Sequence, residues 1–308
     1  MLFGTIPVFT TPLAATGVNA VVQVIWRLMV GAPILVLLTL LVQRRDLKGL
    51  RLRDALGFVG VGALLLGLFL TYVGSLSLGT PAATAVLLLY SQPVFTVLLS
   101  RLLHERITRT RLAALVLGVS GVLVVFNPLG AGRGPGVGQV LALSSGIFYA
   151  LYIVASRRIV SGQRFHPLTT TSLSFVGALV SLVPVSLLLQ ASYPRLDLLA
   201  GMVTSNAHQV ELSLGLIVLG TILPYVALNL GLTKMEASDA GMTLLVEPIS
   251  ASAFGYLLLG QSLGQAQVVG GFLIITSIVL VNLRIGSARS DAKTAIRPRR
   301  QNLTQERA

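Results

Sequence analysis

The sequence predicts an all-α integral membrane protein that crosses a bilayer about ten times. Three observations carry this expectation. Mean hydropathy is +0.85. Charged residues make up only 11% of the 308 residues, against about a quarter in soluble domains. Ten apolar stretches alternate with short linkers, at roughly 2–14, 21–42, 55–75, 81–102, 111–127, 137–156, 168–190, 211–232, 237–259 and 265–283.

Most stretches supply the ~20 residues that an α-helix needs to span hydrocarbon. Strands of a membrane barrel would alternate apolar and polar residues over ~10 positions, and runs such as Val61 to Tyr72 do not. In lipid the backbone must satisfy its own hydrogen bonds, so these runs are helical. The first stretch differs: it is short, holds Pro7 and Pro12, and starts at Met1. It reads as a re-entrant half-helix or as a helix clipped at its start, and the repeat described below favours clipping.

The linkers are of two kinds. Those after even-numbered stretches are basic: Arg44, Arg45, Lys48, Arg51 and Arg53, then Arg101, Arg106, Arg109 and Arg111, then Arg157, Arg158 and Arg164, then Lys234. With the tail from Arg284, that side collects 20 of the 23 cations, and the other side holds Arg27, Arg133 and Arg195. Lys and Arg accumulate in cytoplasmic loops, so both termini are expected inside. The net charge of +13 therefore reflects topology, and no nucleic-acid partner is expected. The tail, 285–308, is polar, basic and expected to be disordered. The chain has no Cys, which removes disulfides and thiolate metal sites.

The chain repeats itself at about half its length. Leu89-Tyr90-Ser91-Gln92-Pro93-Val94 in the fourth stretch matches Val246-Glu247-Pro248-Ile249 in the ninth. Leu102-Leu103-His104-Glu105-Arg106-Ile107 matches Leu258-Leu259-Gly260-Gln261-Ser262-Leu263. The expected domains are a first repeat over 1–128 and a second over 136–284. Five crossings per repeat is odd, so the second enters from the opposite face, and the two form an inverted pair.

In order along the chain, Phe3-Gly4, Trp26-Arg27-Leu28, Pro93 followed by Leu103-His104-Glu105-Arg106, and Glu247-Pro248 resemble the motifs of the drug/metabolite transporter superfamily. The resemblance is to its EamA-type ten-helix members. It implies a carrier for small metabolites, amino acids or drugs, many of them moved outward. Gln261 departs from the family's usual Glu, which would remove a cytoplasmic surface contact rather than chemistry.

Within the spans, Glu247 is the sharpest candidate. A charge at the centre of a membrane helix costs at least ~2.5 kcal/mol on insertion scales, so Glu247 should face protein or a wet cavity. It could recognise a substrate amine or couple transport to protons. Alternatively it is held protonated or bonded to the backbone that Pro248 interrupts, since a proline there frees the Leu244 carbonyl. Pro93 and Pro248 are the expected helix breaks. Tyr90 and Gln92 occupy the position pseudo-symmetric to Glu247 and could line a central site, or bond across helices. Arg27 could snorkel to the interface, contact an anionic substrate, or pair with Glu247. Tyr149 shares a helix face with Tyr152, as Tyr225 does with Asn229. Aromatic faces bind apolar or cationic solutes, although packing alone would also account for them. Trp26 and Tyr72 add further aromatic surface.

The expected function is secondary transport by alternating access, with export the expected direction and the bacterial cytoplasmic membrane the expected location. The expected partners are a small solute and the lipid bilayer, and self-association into a dimer is left open. The rivals are a non-transporting scaffold or accessory subunit and a membrane enzyme acting on lipid, which would need an interfacial cluster of acids or His that is not visible. No enzyme activity and no cofactor is expected. His208 and Glu211 have ligand-like spacing but no companions, so no metal is expected either. The Gly130–Gly138 run lacks the Gly-Lys-Ser/Thr of a phosphate loop and reads as a connector.

Overall fold

A computed structural model describes residues 2–18, 20–78, 80, 82–105, 108–126, 136–162, 164–192, 206–259, 265, 268–277 and 279–280. The Gly130–Pro135 part of the connector, Gln261, and the tail lie outside the described residues. Among the described residues all regular structure is helical. A 3₁₀ turn, Leu2–Thr5, leads into α1 (Ile6–Ala15), followed by α2 (Ala20–Val42) and the short α3 (Arg44–Lys48). Then come α4 (Leu52–Ser77), α5 (Ala82–Leu89), α6 (Gln92–Leu99) and α7 (Arg109–Phe126). The second half holds α8 (Val137–Ser161), α9 (Pro167–Ser192), α10 (Ala207–Ile217), α11 (Leu223–Leu232), α12 (Ala237–Thr243) and α13 (Val246–Leu259). A last apolar helix, α14, covers Val268–Ser277.

Among the described residues five helical runs are long and apolar enough to cross a membrane: Val21–Val42, Leu52–Leu76, Val137–Ser161, Pro167–Leu187 and Ala207–Leu232. Their outer faces carry exposed Leu41, Leu52, Val183 and Leu187. An apolar exterior of this kind is stable only against hydrocarbon.

The central packing is made of close helix contacts. In lipid, helices associate through van der Waals packing, and small residues let their backbones approach. Here α4 runs along α8 and α9. A Cβ built on Gly62 of α4 would lie 2.2 Å from the Ala178 amide of α9, and one on Gly177 would lie 2.3 Å from the Phe58 carbonyl oxygen. Neither position tolerates a side chain.

The fourth and ninth stretches are each two half-helices, with the chain turning at Tyr90-Ser91 and at Leu244-Leu245. The breaks therefore fall one turn ahead of the expected prolines. A proline ring clashes with the carbonyl four residues back, which is Leu89 for Pro93 and Leu244 for Pro248. Within the first turn of a new helix, the missing N–H carries no penalty. The Leu244 carbonyl is not left free as the sequence suggested, because it accepts the Glu247 N–H at 2.9 Å.

One end of the bundle is tied by loop contacts. Arg164 Nη1 meets Asp54 Oδ1 at 2.7 Å. Asp46 Oδ2 accepts from the His166 N–H at 2.7 Å and from Thr169 Oγ1 at 2.8 Å. Arg157, near the end of α8, donates to the Leu232 carbonyl at the end of α11.

Candidate functional site

The bundle interior gathers charged and phenolic groups from both halves of the chain. Arg27 projects from α2, and its Nε donates to Thr221 Oγ1 at 2.8 Å. Its guanidinium carbon lies 4.5 Å from the centre of the Phe69 ring. It does not snorkel outward. Thr221 sits in a π-helical turn, Val218–Ile222, between α10 and α11, and its hydroxyl donates to the Leu216 carbonyl at 2.9 Å. Inserted π turns often mark functional positions, and this one carries Arg27's partner.

Glu247 lies in the first turn of α13, where the N-terminal end of the helix dipole favours an acid. The Tyr90 hydroxyl, at the break between α5 and α6, hydrogen-bonds the Glu247 carboxyl. The same pocket brings Arg27, Tyr72, Tyr149 and Tyr225 within electrostatic reach of Glu247. Arg27, Tyr72 and Glu247 are densely surrounded by protein, yet each keeps part of its surface accessible. A small molecule or water can therefore reach these three side chains.

Tyr225 is the hub of the aromatic wall. Edge-to-face contacts place its ring 5.0 Å from Phe3, 5.3 Å from Phe175, 5.7 Å from Tyr152 and 6.1 Å from Phe69. The Tyr149 hydroxyl is buried with no hydrogen-bond partner among the described residues. A buried polar group without a partner loses its hydration uncompensated, so a solute or water that bonded it would be favoured.

Two further sequence candidates have structural tasks. Gln92 is fully buried; its Nε2 donates to the Gly241 carbonyl at 2.9 Å, and its Oε1 accepts from Thr96 Oγ1 at 2.8 Å. It ties the α6 break to α12. Asn229 donates from Nδ2 to Tyr152 Oη at 3.2 Å, Thr171 Oγ1 at 3.0 Å and the Tyr225 carbonyl at 3.1 Å. It sits behind the aromatic wall. His208 and Glu211 are exposed, 3.9 Å apart, and no group of three metal-ligating side chains occurs among the described residues.

A second polar cluster was not singled out in the sequence. Arg111, read there as a loop cation, is only 6% exposed. It holds Asp239 in a fork, Nε to Oδ1 at 2.8 Å and Nη2 to Oδ2 at 2.9 Å, and also pairs with Glu236. Glu105 accepts from the Ala237 N–H at 2.8 Å, the Ser238 N–H at 3.3 Å and Ser238 Oγ at 3.0 Å. Burial pushes its carboxyl above the usual range, and those same bonds pull it back. The sequence hint was Asp239 three residues after Glu236, at the head of an apolar stretch that could not solvate it. The partner, 128 positions away, was not legible.

A family model described as the EamA-like transporter family matches residues 1–127 and 136–283. An uncharacterized transporter of Archaeoglobus fulgidus is 27% identical over 210 residues, 68% of this chain and 70% of that protein. The uncharacterized transporter YdfC of Bacillus subtilis is 26% identical over 271 residues, 85% and 81% of the two chains. The threonine/homoserine exporter RhtA of Escherichia coli is 29% identical over 142 residues, 46% of this chain and 44% of its own. A solved crystal structure superposes with a TM-score of 0.74 over 93% of this chain and 94% of its own, at 18% identity, which speaks to the fold alone.

Proposed function

The chain belongs to the EamA-like transporter family, and from that premise we propose that it is a secondary carrier working by alternating access around a central site. The observation that carries this reading is that Arg27, from the first half, and Glu247, from the second, come within electrostatic reach of each other in the bundle interior with Tyr72, Tyr90 and Tyr149 around them. Opposite charges unsolvated in a membrane interior are costly, and such groups mark substrate or ion pathways. Arg27 suits a carboxylate or other anionic group, and Glu247 suits an ammonium group or a proton. The tyrosine rings suit the uncharged body of a small metabolite, amino acid or drug-like molecule.

Ten crossings in two inverted five-helix repeats, with the basic loops and both termini in the cytoplasm, complete the reading. The paired breaks before Pro93 and Pro248 support it, since inverted-repeat carriers place discontinuous helices at the midplane site. Outward movement across a bacterial cytoplasmic membrane is the favoured direction, by analogy with the exporter similar to part of the chain.

The test is counterflow of a solute panel with purified protein in proteoliposomes, repeated under an imposed pH gradient. At least one zwitterionic or cationic solute should exchange. Glu247→Gln should abolish stimulation by the gradient while inserting normally. A mutant indistinguishable from wild type under the gradient would remove the coupling role, and no flux of any solute would remove the carrier reading.

A further inference from the structure

The second polar cluster spans the two halves of the chain and lies beside Arg157 and Ser161 at the end of α8. Arg111 and Glu105 come from the first half; Asp239, Glu236, Ala237 and Ser238 come from the second. Inward from that cluster the seam continues without a gap. Val97 and Met242 pack with Ala114 and Leu115. A Cβ on Gly241 would lie 3.0 Å from Thr96, and Gln92 bonds the Gly241 carbonyl. So α6 and α12 are zipped from the surface to the helix breaks. A recess of about 420 Å³ lined by Glu105, Arg111, Arg157 and Glu236 lies on the outer side of this seam.

The five-plus-five reading supplies an internal control. In an inverted pair, α5 corresponds to α12 and α13 corresponds to α6, so the α6–α12 seam has its counterpart between α13 and α5 at the opposite end. Among the described residues the two meet through a small apolar cluster, Val86 of α5 and Ile249 of α13 packing on Tyr90 and Leu245. The described residues thus show a seam capped by ion pairs at the basic-loop end and a purely apolar one at the other.

We infer that the Arg111–Asp239 ion pair, with the Glu105 cap on α12, is the latch that closes the basic-loop end in one state and must separate for the central site to open there. This inference rests on the carrier reading. A buried ion pair is poor evidence for stability, because the desolvation of both charges offsets their attraction. Its attested uses are in registry and switching, and a pair spanning two bodies that rock apart fits the second. Arg111 borders the recess, so its charge can be rehydrated as the seam opens.

The chain has no Cys, so one introduced thiol reports without background. Val97→Cys, 2% exposed under the latch, is labelled with a membrane-impermeant maleimide in nanodiscs. The control is Leu13→Cys, fully buried at the far end, where Gln209 bonds the Thr16 carbonyl. Asp239→Asn or Arg111→Gln should speed labelling at 97 about tenfold or more and leave position 13 unchanged. The swapped pair Arg111→Asp with Asp239→Arg should return the rate toward wild type. Arg111→Lys keeps the charge but loses the fork and should fall between. If the other variants fail to fold, Arg111→Lys decides alone: a faster rate supports the latch. A rate at 97 equal to wild type overturns it, as does equal acceleration at 97 and 13. The assay needs no solute, so faster labelling without flux of any solute would sink the carrier reading and leave the latch standing.

Discussion

Arg27 shows how much one side chain depends on its surroundings. Three neighbours justify it inside the bundle: the Thr221 hydroxyl, the Phe69 face and the field of Glu247. A cation over an aromatic face contributes about 0.5–2 kcal/mol, and truncating one member of a buried charged pair costs more than the pair itself contributes. Arg27→Gln should therefore lower solute exchange at least tenfold in the counterflow assay, with insertion intact. Thr221→Val removes two hydrogen bonds, to Arg27 and to the Leu216 carbonyl, but no charge, and should reduce exchange only a few-fold. Equal losses would mean that the hydroxyl, not the charge, shapes the site. Glu247 and Tyr90 were legible in the sequence, because an acid beside a proline in an apolar run has few explanations. Asp239 was not singled out in the sequence, and only the fold supplies its partner Arg111.

At the scale of elements, the broken helices were half legible. Pro93 and Pro248 announced interruptions, but a proline acts on the turn before it, so the chain turns at Tyr90-Ser91 and Leu244-Leu245. What accommodates the first break is invisible in the sequence. A Cβ on Gly146 of α8 would lie 2.8 Å from Ser91 Oγ and 3.0 Å from the Leu88 and Leu89 carbonyls. Gly146→Ala should thus push α8 off the break and destabilise by about 1–3 kcal/mol, the usual range for overpacking. A lowered melting temperature in detergent would report it, and an unchanged one would show that the break can shift to make room.

For the whole molecule, the contact of α4 with α9 holds the interior together. Gly177→Ala places a methyl group against the Phe58 backbone, which has no flexible end to move aside. It should lower thermal stability strongly, whereas Gly60→Ala, with nothing within 4 Å of its Cβ, should leave it unchanged or raise it, since Ala favours helix by about 1 kcal/mol over Gly. If the two variants melted alike, small-residue packing would not be what joins α4 to α9. The five long apolar helices and the family were both readable from the sequence, because hydropathy and motif order are local properties and survive without a fold.

By itself the sequence determined that this chain is helical, lies in lipid and carries an acid where apolar residues surround it. Those follow from periodicity and composition, which depend only on neighbours along the chain. The tertiary structure alone decided which distant groups meet: Arg27 with Thr221, Tyr90 with Glu247, Gln92 with Gly241 and Arg111 with Asp239. Each joins elements far apart in sequence, and the partner is chosen by packing geometry that no local pattern encodes.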